Sequence, residues 1–312
     1  MTPFIQVCEV WVPHPSRDYL VLHSGSYGPH DELAELSRKL LWSHGEGLPG
    51  RAWETGAPVF LHDLNPSVFK RSDIAQRLGL SSGLALPVCA GEFLTGVLVL
   101  LCGDADSAVG ALEIWGAEPD EPKYLGLVDG HYGRAAGFGK SSQDVTFARG
   151  FGLPGRAWAS GLPELMTGLG SSPDFLRAAI ARQCGIDLGL AIPFGIDGES
   201  PRVVTLLSAP ATPVARRIEI WTVDTAREHL VFRDGWCNAV PNLDRVYDGV
   251  QLTRSDSTVG RAWRCGIPMV VSQLAASGSA LGVAAVTAGL DTMVAIPVFE
   301  RGWVRAVVAL YP

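Results

Sequence analysis

Seven residues, Gly47-Leu48-Pro49-Gly50-Arg51-Ala52-Trp53, recur as Gly152-Leu153-Pro154-Gly155-Arg156-Ala157-Trp158, and their second half returns again as Gly260-Arg261-Ala262-Trp263. A chain that repeats a motif at one period folds as copies of one small unit, and every other expectation must fit that frame. Further landmarks keep the same period. Glu9-Val10-Trp11, Glu113-Ile114-Trp115 and Glu219-Ile220-Trp221 are offset by 104 and 106 residues, and Gly56/Pro58, Gly161/Pro163 and Gly266/Pro268 by 105 and 105. Pro87, Pro193 and Pro297 follow at 106 and 104. The 312 residues are therefore expected to divide into repeats at 1–104, 105–210 and 211–312.

The motif reads as a strand end turning into a short helix. Pro49 is placed at the first helical position, where a missing N–H costs nothing, Gly56 stands just past the end, and Pro58 forbids continuation. The third copy lacks the Gly-Leu-Pro lead, but Ser257 and Thr258 offer hydroxyls that can cap a helix start. Alternation at residues 9–12 and 19–23 predicts two strands joined by a polar turn at 13–18. No element is assigned to the variable stretch that follows. A strand at 40–44, the motif helix and an extended piece at 58–64 come next. A second helix is clearest in copy two, over 173–184 and ended by Gly185, and two apolar strands, 83–89 and 94–102, close the copy around Ala90-Gly91-Glu92. Strands, helix, strand, helix and strands make an α+β unit with two short helices on one face of an antiparallel sheet of about six strands.

The net charge of -7 and the lack of any Lys/Arg cluster argue against a nucleic-acid partner, whose phosphates need concentrated positive charge. Residues 1–10 carry neither a basic leader nor a long apolar run, and no later stretch has membrane-spanning character, so a cytoplasmic protein without a membrane partner is expected. The six cysteines sit at non-equivalent places in the repeats, as scattered reduced thiols would. With no CxxC, HExxH or His-x3-His spacing there is no signal for zinc, and no cofactor is assigned.

Leu84-Ala85-Leu86-Pro87-Val88 and Leu190-Ala191-Ile192-Pro193-Phe194, taken with the Gly-Leu-Pro-Gly-Arg-x-Trp segment and the later Phe-containing helix, resemble the GAF family of small-molecule sensor domains. The pattern is also similar to the GAF-like regions of plant nitrate-responsive RWP-RK factors, although no basic DNA-binding segment follows. The resemblance implies a six-stranded antiparallel sheet with a pocket between the sheet and two internal helices. GAF domains usually carry long flanking helices that relay signals to an output domain. The connectors at 103–110 and 209–216 are too short and too rich in Pro, Gly and Ala for that, so no direct relay to an attached output domain is expected within the chain.

Arg51, Arg156 and Arg261 stand one step into a helix whose free amides favour an anion, and His44, Arg149 and Arg254 hold the equivalent place on the preceding strand. Together they can grip a carboxylate, nitrate or phosphate. The plainer alternative makes each arginine a surface fork paired with a local acid. Trp53, Trp158 and Trp263 read as anchors of the helix in the core. Residues 133–141 have a passing likeness to a phosphate loop that fails because Arg134 stands where a glycine is required. That segment is read instead as a flexible pocket lid. Beside it His131 and Tyr132 can reach a ligand over the sheet edge, matching Tyr27 and Cys237 in the other copies. The expected ligand site therefore comprises Tyr27, His44, Arg51, His131, Tyr132, Arg149 and Arg156, in copies one and two, with copy three degenerate.

These readings give a cytoplasmic small-molecule-binding sensor or regulatory protein whose ligand is small and anionic or aromatic. A ligand-free interaction scaffold is one alternative. Another is a redox or haem-assisted enzyme, since some GAF-fold proteins reduce free methionine sulfoxide with cysteines near the pocket; here Cys89 and Cys102 fall too far apart along their hairpin to bridge. Finally, the second helix of copy three, over 275–289, carries no charge, unlike its counterparts, and a helix apolar on every side is normally buried on every side. The expectation is that the three units pack together and that copy three also mediates a homodimer.

Overall fold

In the computed structural model, which describes residues 4–64, 69–103, 109–117, 123–195, 200–274 and 280–312, each repeat forms its own six-stranded antiparallel sheet. The first unit runs β1 (Ile5–Pro13), β2 (Tyr19–Ser26), α1 (Asp31–Lys39), β3 (Leu41–Ser43), α2 (Gly47–Thr55), β4 (Val59–Leu61), α3 (Ser72–Arg77), β5 (Leu80–Ala90) and β6 (Phe93–Gly103). The second runs β7 (Val109–Ala117), β8 (Tyr124–Gly133), α4 (Ala136–Gln143), β9 (Phe147–Ala148), α5 (Gly152–Ser160), β10 (Glu164–Thr167), α6 (Ala178–Cys184), β11 (Leu188–Phe194) and β12 (Arg202–Ser208). The third runs β13 (Arg217–Val223), β14 (Leu230–Cys237), α7 (Leu243–Val246), β15 (Gln251–Leu252), α8 (Thr258–Cys265), β16 (Met269–Val271), α9 (Ala280–Thr287), β17 (Met293–Glu300) and β18 (Trp303–Tyr311). Each sheet has the same order, β3-β2-β1-β6-β5-β4 in the first unit, and each carries a register shift at the same point of its first strand, Val10/Trp11, Ile114/Trp115 and Ile220/Trp221.

Three local expectations are corrected. The variable stretch holds a third helix: α1 buries Leu33, Ala34 and Ser37, with Asp31 and Glu32 in its first turn and Arg38 and Lys39 in its last, where the helix dipole favours them. The supposed lid is its counterpart α4, whose Phe138 and Ser142 are buried. The motif helix begins at Gly47, so Pro49 is its third residue, still within the turn whose N–H groups lack partners. Its end is as expected, with Gly56, Gly161 and Gly266 all left-handed. Asp104, the expected first boundary, and residues 275–279 of the third copy's helix lie outside the described residues.

Period-2 alternation sends the first strand's residues to two different cores. Val7, Glu9 and Trp11 face the helices of their own unit, while Cys8 and Val10 face outward. The outward residues of all three sheets meet in one cluster, with Val10, Leu84 and Leu98 against Ile114, Leu190 and Ile192 and against Ile220, Ile296 and Val308. Bare sheet faces thus cover one another.

The junctions run head to tail. His62 of the first unit pairs with Asp129 of the second (2.7 Å), Glu164 of the second with Arg233 of the third (2.9 Å), and the Val270 amide of the third donates to Ser24 Oγ of the first (3.1 Å). Asp129, Asp234 beside Arg233, and Ser24 are equivalent positions on the second strands. A heterologous contact repeated three times closes into a ring. The intramolecular packing expected from sequence is present, but α9 is not its cause: Leu281 and Ala285 are buried in their own unit, Ala284 is half-buried, and Val286 is 40% exposed. The faces that needed cover find it within the chain.

Candidate functional site

A glutamate inside an apolar strand, pointing into the core, requires a positive partner, because an unpaired buried charge is prohibitively costly. Glu9, Glu113 and Glu219 are 0% exposed and occupy the space between sheet and helices where the resemblance implied a pocket. In the first unit Arg71, from the turn before α3, grips both carboxylate oxygens of Glu9. Ser37 Oγ of α1 lies 2.8 Å from Glu9 Oε1, and Trp11 Nε1 donates to Glu9 Oε2 at 3.0 Å. The second unit repeats the cluster with Arg177, Ser142 and Trp115 on Glu113, and adds Thr205 Oγ1, which donates at 2.9 Å. Phe138, Trp115 and Phe175 wall the Arg177 guanidinium at 4.4, 5.1 and 5.3 Å from their ring centroids. Burial opposes ionisation of Glu9 and Glu113, yet the guanidinium and hydrogen bonds prevail and hold both carboxyls below their ordinary range.

The third unit keeps the carboxylate and changes its cation. Arg217 comes from β13 itself, two residues before Glu219, with Nε 2.6 Å from Glu219 Oε1. Tyr247 of the loop after α7 replaces the serine, donating to Glu219 Oε1 at 2.7 Å, and Tyr311 Oη lies 3.3 Å from Oε2.

The residues expected to bind ligand are dispersed. Tyr27 and Tyr132 stand beside the buried carboxylates, and burial together with the negative charge of Glu9 or Glu113 raises both phenols. Neither hydroxyl has a hydrogen-bond partner among the described residues. His131 lies at the junction of the first two units, half-buried against Phe4 (5.8 Å) with Ser82 Oγ at 3.4 Å; burial, then the nearby His62, lowers its pKa. His44, Arg51 and Arg149 are exposed, and Arg156 makes the surface pair with Glu164 (3.4 Å) that the plainer alternative described. One arrangement does recur: a basic side chain meets the motif tryptophan, His44 edge-on to Trp53 (5.1 Å between ring centroids), Arg149 over Trp158 (5.9 Å) and Arg254 over Trp263 (4.5 Å).

Residues 3–114 match the family model of the GAF domain. The first unit is a GAF domain. The second and third GAF-like units repeat its strand order, bearing out the fold class expected from sequence. Among solved structures, NreA from Staphylococcus aureus mutated in its nitrate-binding site is 17% identical, with 32% of this chain and 74% of that chain covered and a TM-score of 0.27. The GAF-B domain of DevS from Mycobacterium smegmatis is 22% identical (32% and 61% covered, TM-score 0.24), and free methionine-R-sulfoxide reductase from Neisseria meningitidis in complex with its substrate is 20% identical (31% and 52%, TM-score 0.24). None of the curated proteins matches. The further likeness to RWP-RK regions finds no support among these matches.

The interiors of the three units contain residues that the sequence did not single out: Arg71, Arg177 and Arg217, with Ser37, Ser142 and Tyr247. A signal existed, since Glu9 and Glu113 interrupt apolar strands and Arg71 and Arg177 share the repeat offset. Arg217 has no counterpart, because Val7 and Ala111 stand at its position. In the core shared by the three sheets, burial pushes the Cys8 thiol up to about 12, with repulsion from Cys102 adding to it, and burial raises Cys102 to about 12; burial likewise raises Cys89, near the end of β5, to about 11. Thiols held so far above neutral pH are poor nucleophiles. No helix among the described residues is long and apolar enough to cross a membrane, and no group of three His, Cys, Asp or Glu among them is placed to hold a metal.

Proposed function

We propose that this chain is a non-enzymatic small-molecule-binding protein of the sensor or regulatory kind, acting in the cytoplasm, with domains at 1–104, 105–210 and 211–312. The ligand is small and anionic or aromatic. The observation that carries this reading is the recurring basic side chain against the motif tryptophan, His44 edge-on to Trp53 and Arg149 over Trp158, each just past the strand that leads into a helix bearing Arg51 or Arg156. Guanidinium and imidazole groups near a helix start favour an anion, and the indole face gives an aromatic ring a surface to stack on. Tyr27, Tyr132 and His131 join the site only if the buried ion pair or the first junction opens to a ligand.

Native mass spectrometry of the purified protein, followed by calorimetric titration with nitrate, acetate and benzoate, tests the proposal. Arg51→Ala or Arg156→Ala is expected to weaken binding and Arg261→Ala, whose guanidinium donates to Thr258 Oγ1 at 3.0 Å, to leave it unchanged. Absence of any retained or titrated small molecule would favour the second reading, a ligand-free interaction scaffold. That reading draws on the ion pairs that occupy each GAF interior. A homodimer through the third unit loses its motive, because the sheet faces cover one another.

A further inference from the structure

The third unit has an open cleft of about 300 Å³ between the β13–β14 turn, the loop from β15 into α8, α8 itself and the start of β18. Two indoles and three guanidiniums line it. Arg227 lies over Trp303, 5.3 Å from the ring centroid, and Arg254 over Trp263 at 4.5 Å, and Arg305 completes the lining. Trp263 is 6% exposed and so forms a fixed wall, whereas Trp303 is 63% exposed and offers a free face. Arg305 is engaged with Glu300 (2.7 Å), and Asp224, the carboxylate in the lining, accepts from the Glu228 amide (2.9 Å) and faces His229. Among the described residues neither Arg227 nor Arg254 pairs with a carboxylate. In a chain of net charge -7 this is a local positive site.

The first unit shows what is added. There Arg17 lies over Phe93 (5.5 Å) and His44 meets Trp53 edge-on (5.1 Å), and Thr95 stands where the third unit has Arg305. Arg17 and Arg227 close the same turn, both at φ 61, a left-handed conformation that ordinarily goes to glycine. Two copies therefore keep an arginine where the backbone alone would prefer Gly. The third copy adds guanidiniums and an indole around it: Arg254 stands in place of His44, Trp303 in place of Phe93, and Arg305 in place of Thr95.

A guanidinium stacked by its face on an indole still presents its N–H edge, which matches a carboxylate in two-point contact. We propose that this cleft is a binding site for a planar aromatic carboxylate, its ring against Trp303 and its carboxylate on Arg254 and Arg227. A volume of about 300 Å³ is at the small end of ligand pockets and suits one ring or two fused rings. The site uses none of Arg51, Arg149 or Arg156, so it goes beyond the function proposed above and the two stand or fall separately.

Calorimetric titration of the full chain with 2-naphthoate, with acetate and uncharged 2-naphthol as comparisons, tests it. The expected result is that naphthoate binds more tightly than either, and that Trp303→Ala and Arg254→Ala each weaken it about tenfold or more, about 1.4 kcal/mol. The comparison is made in the Arg51→Ala/Arg156→Ala background, which removes the site proposed above, so that naphthoate binding there reports the cleft alone. Trp303→Ala is on the surface, so its fold is safe, and Arg227→Gly supplies a second readout: relief of the left-handed arginine should hold or raise the melting temperature while naphthoate affinity falls. The proposal is overturned if naphthol binds as well as naphthoate, if acetate does, or if the Trp303 and Arg254 variants keep wild-type affinity. Binding of naphthoate that is lost on Arg51→Ala but not on Arg254→Ala would overturn this site and leave the proposed function standing.

Discussion

The third unit differs from the first two at the head of its motif helix, and the difference is a coordinated replacement. Gly47 and Gly152 are left-handed (φ 60 and 64), and a Cβ on them would sit 2.3 Å from the Trp42 ring and 2.7 Å from the Phe147 ring. In the third unit the aromatic gives way to the smaller Leu252, and the glycine position becomes Ser257 at φ −152, whose Oγ accepts from the Gly260 amide at 3.1 Å. A side-chain cap thus replaces an aromatic lid over a bare glycine. The lost Gly-Leu-Pro lead is repacking, not decay, as is the transfer of the buried cation from Arg177 to Arg217. What stays fixed is Gly50, Gly155 and Gly260, where a Cβ would meet the carbonyl oxygen of Ser43, Ala148 or Thr253 at 2.2, 2.2 and 2.0 Å. Side chains can exchange roles between copies; backbone lying against backbone cannot.

The largest expected effect separates the two cation placements. Arg177→Met leaves Glu113 buried and unpaired and should lower unfolding free energy by about 3–5 kcal/mol, and Arg217→Met should do the same to Glu219. The double variant Glu113→Leu/Arg177→Met should lose less than Arg177→Met alone in denaturant titrations; an additive result would mean that the pair is not coupled. The carboxyls of Glu9 and Glu113 titrate below their ordinary range in the folded chain. Their stabilisation is therefore present above the ordinary carboxylate pKa and is lost as pH falls through the depressed folded values. The double variant should flatten part of that acid limb.

Next in size, Gly155→Ala and Gly260→Ala should each cost about 1–3 kcal/mol, and by similar amounts, because the same backbone contact is overpacked in both. A clear inequality would show that the third unit's helix start has more room than its carbonyl distance implies.

Smaller again, Ser257→Ala should cost about 1 kcal/mol and Ser257→Gly only a few tenths. Gly47→Ser, the reverse exchange, should destabilise unless Trp42→Leu accompanies it. Thermal melts of the single and double variants check whether the two positions are linked as the copies suggest.

The smallest effect concerns the first junction. The hydrogen bond to Asp129 raises the His62 pKa, so its contribution is present below the ordinary histidine value and fades as pH rises through the raised folded value. His62→Gln should remove this alkaline loss and change little else; the equivalent places, Thr167 and Ser272, have no such titration. An unchanged pH profile in the variant would assign the loss to another group.

Much of the fold was legible because the landmarks were physical constraints. Glu-hydrophobe-Trp marks a strand that must turn a charge and an indole one way and a Val or Ile the other, and the proline and glycine pairs mark where helices must stop. Helix α1 was missed because its apolar face is only Leu33 and Ala34 wide, too short for a period to show. The candidate site was less legible. The equivalence of His44, Arg149 and Arg254 was legible, but their contact with the motif tryptophan was not, since the tryptophans read as core anchors, and the third-unit cleft joins residues 227, 254 and 303, which no local pattern connects.

The sequence by itself determined three copies, their period, the order of the strands and of two of the three helices in each, and the glycine that ends each motif helix, since these rest on local backbone rules that Gly, Pro and alternation express directly. Tertiary structure alone decided that the three sheets share one central core, that the presumed pocket holds each unit's own glutamate, and that the same carboxylate is met by an arginine from a loop in two units and from the strand in the third. The reason is that a buried charge demands a partner without specifying its address in the chain. Only packing in three dimensions decides which residue can reach it.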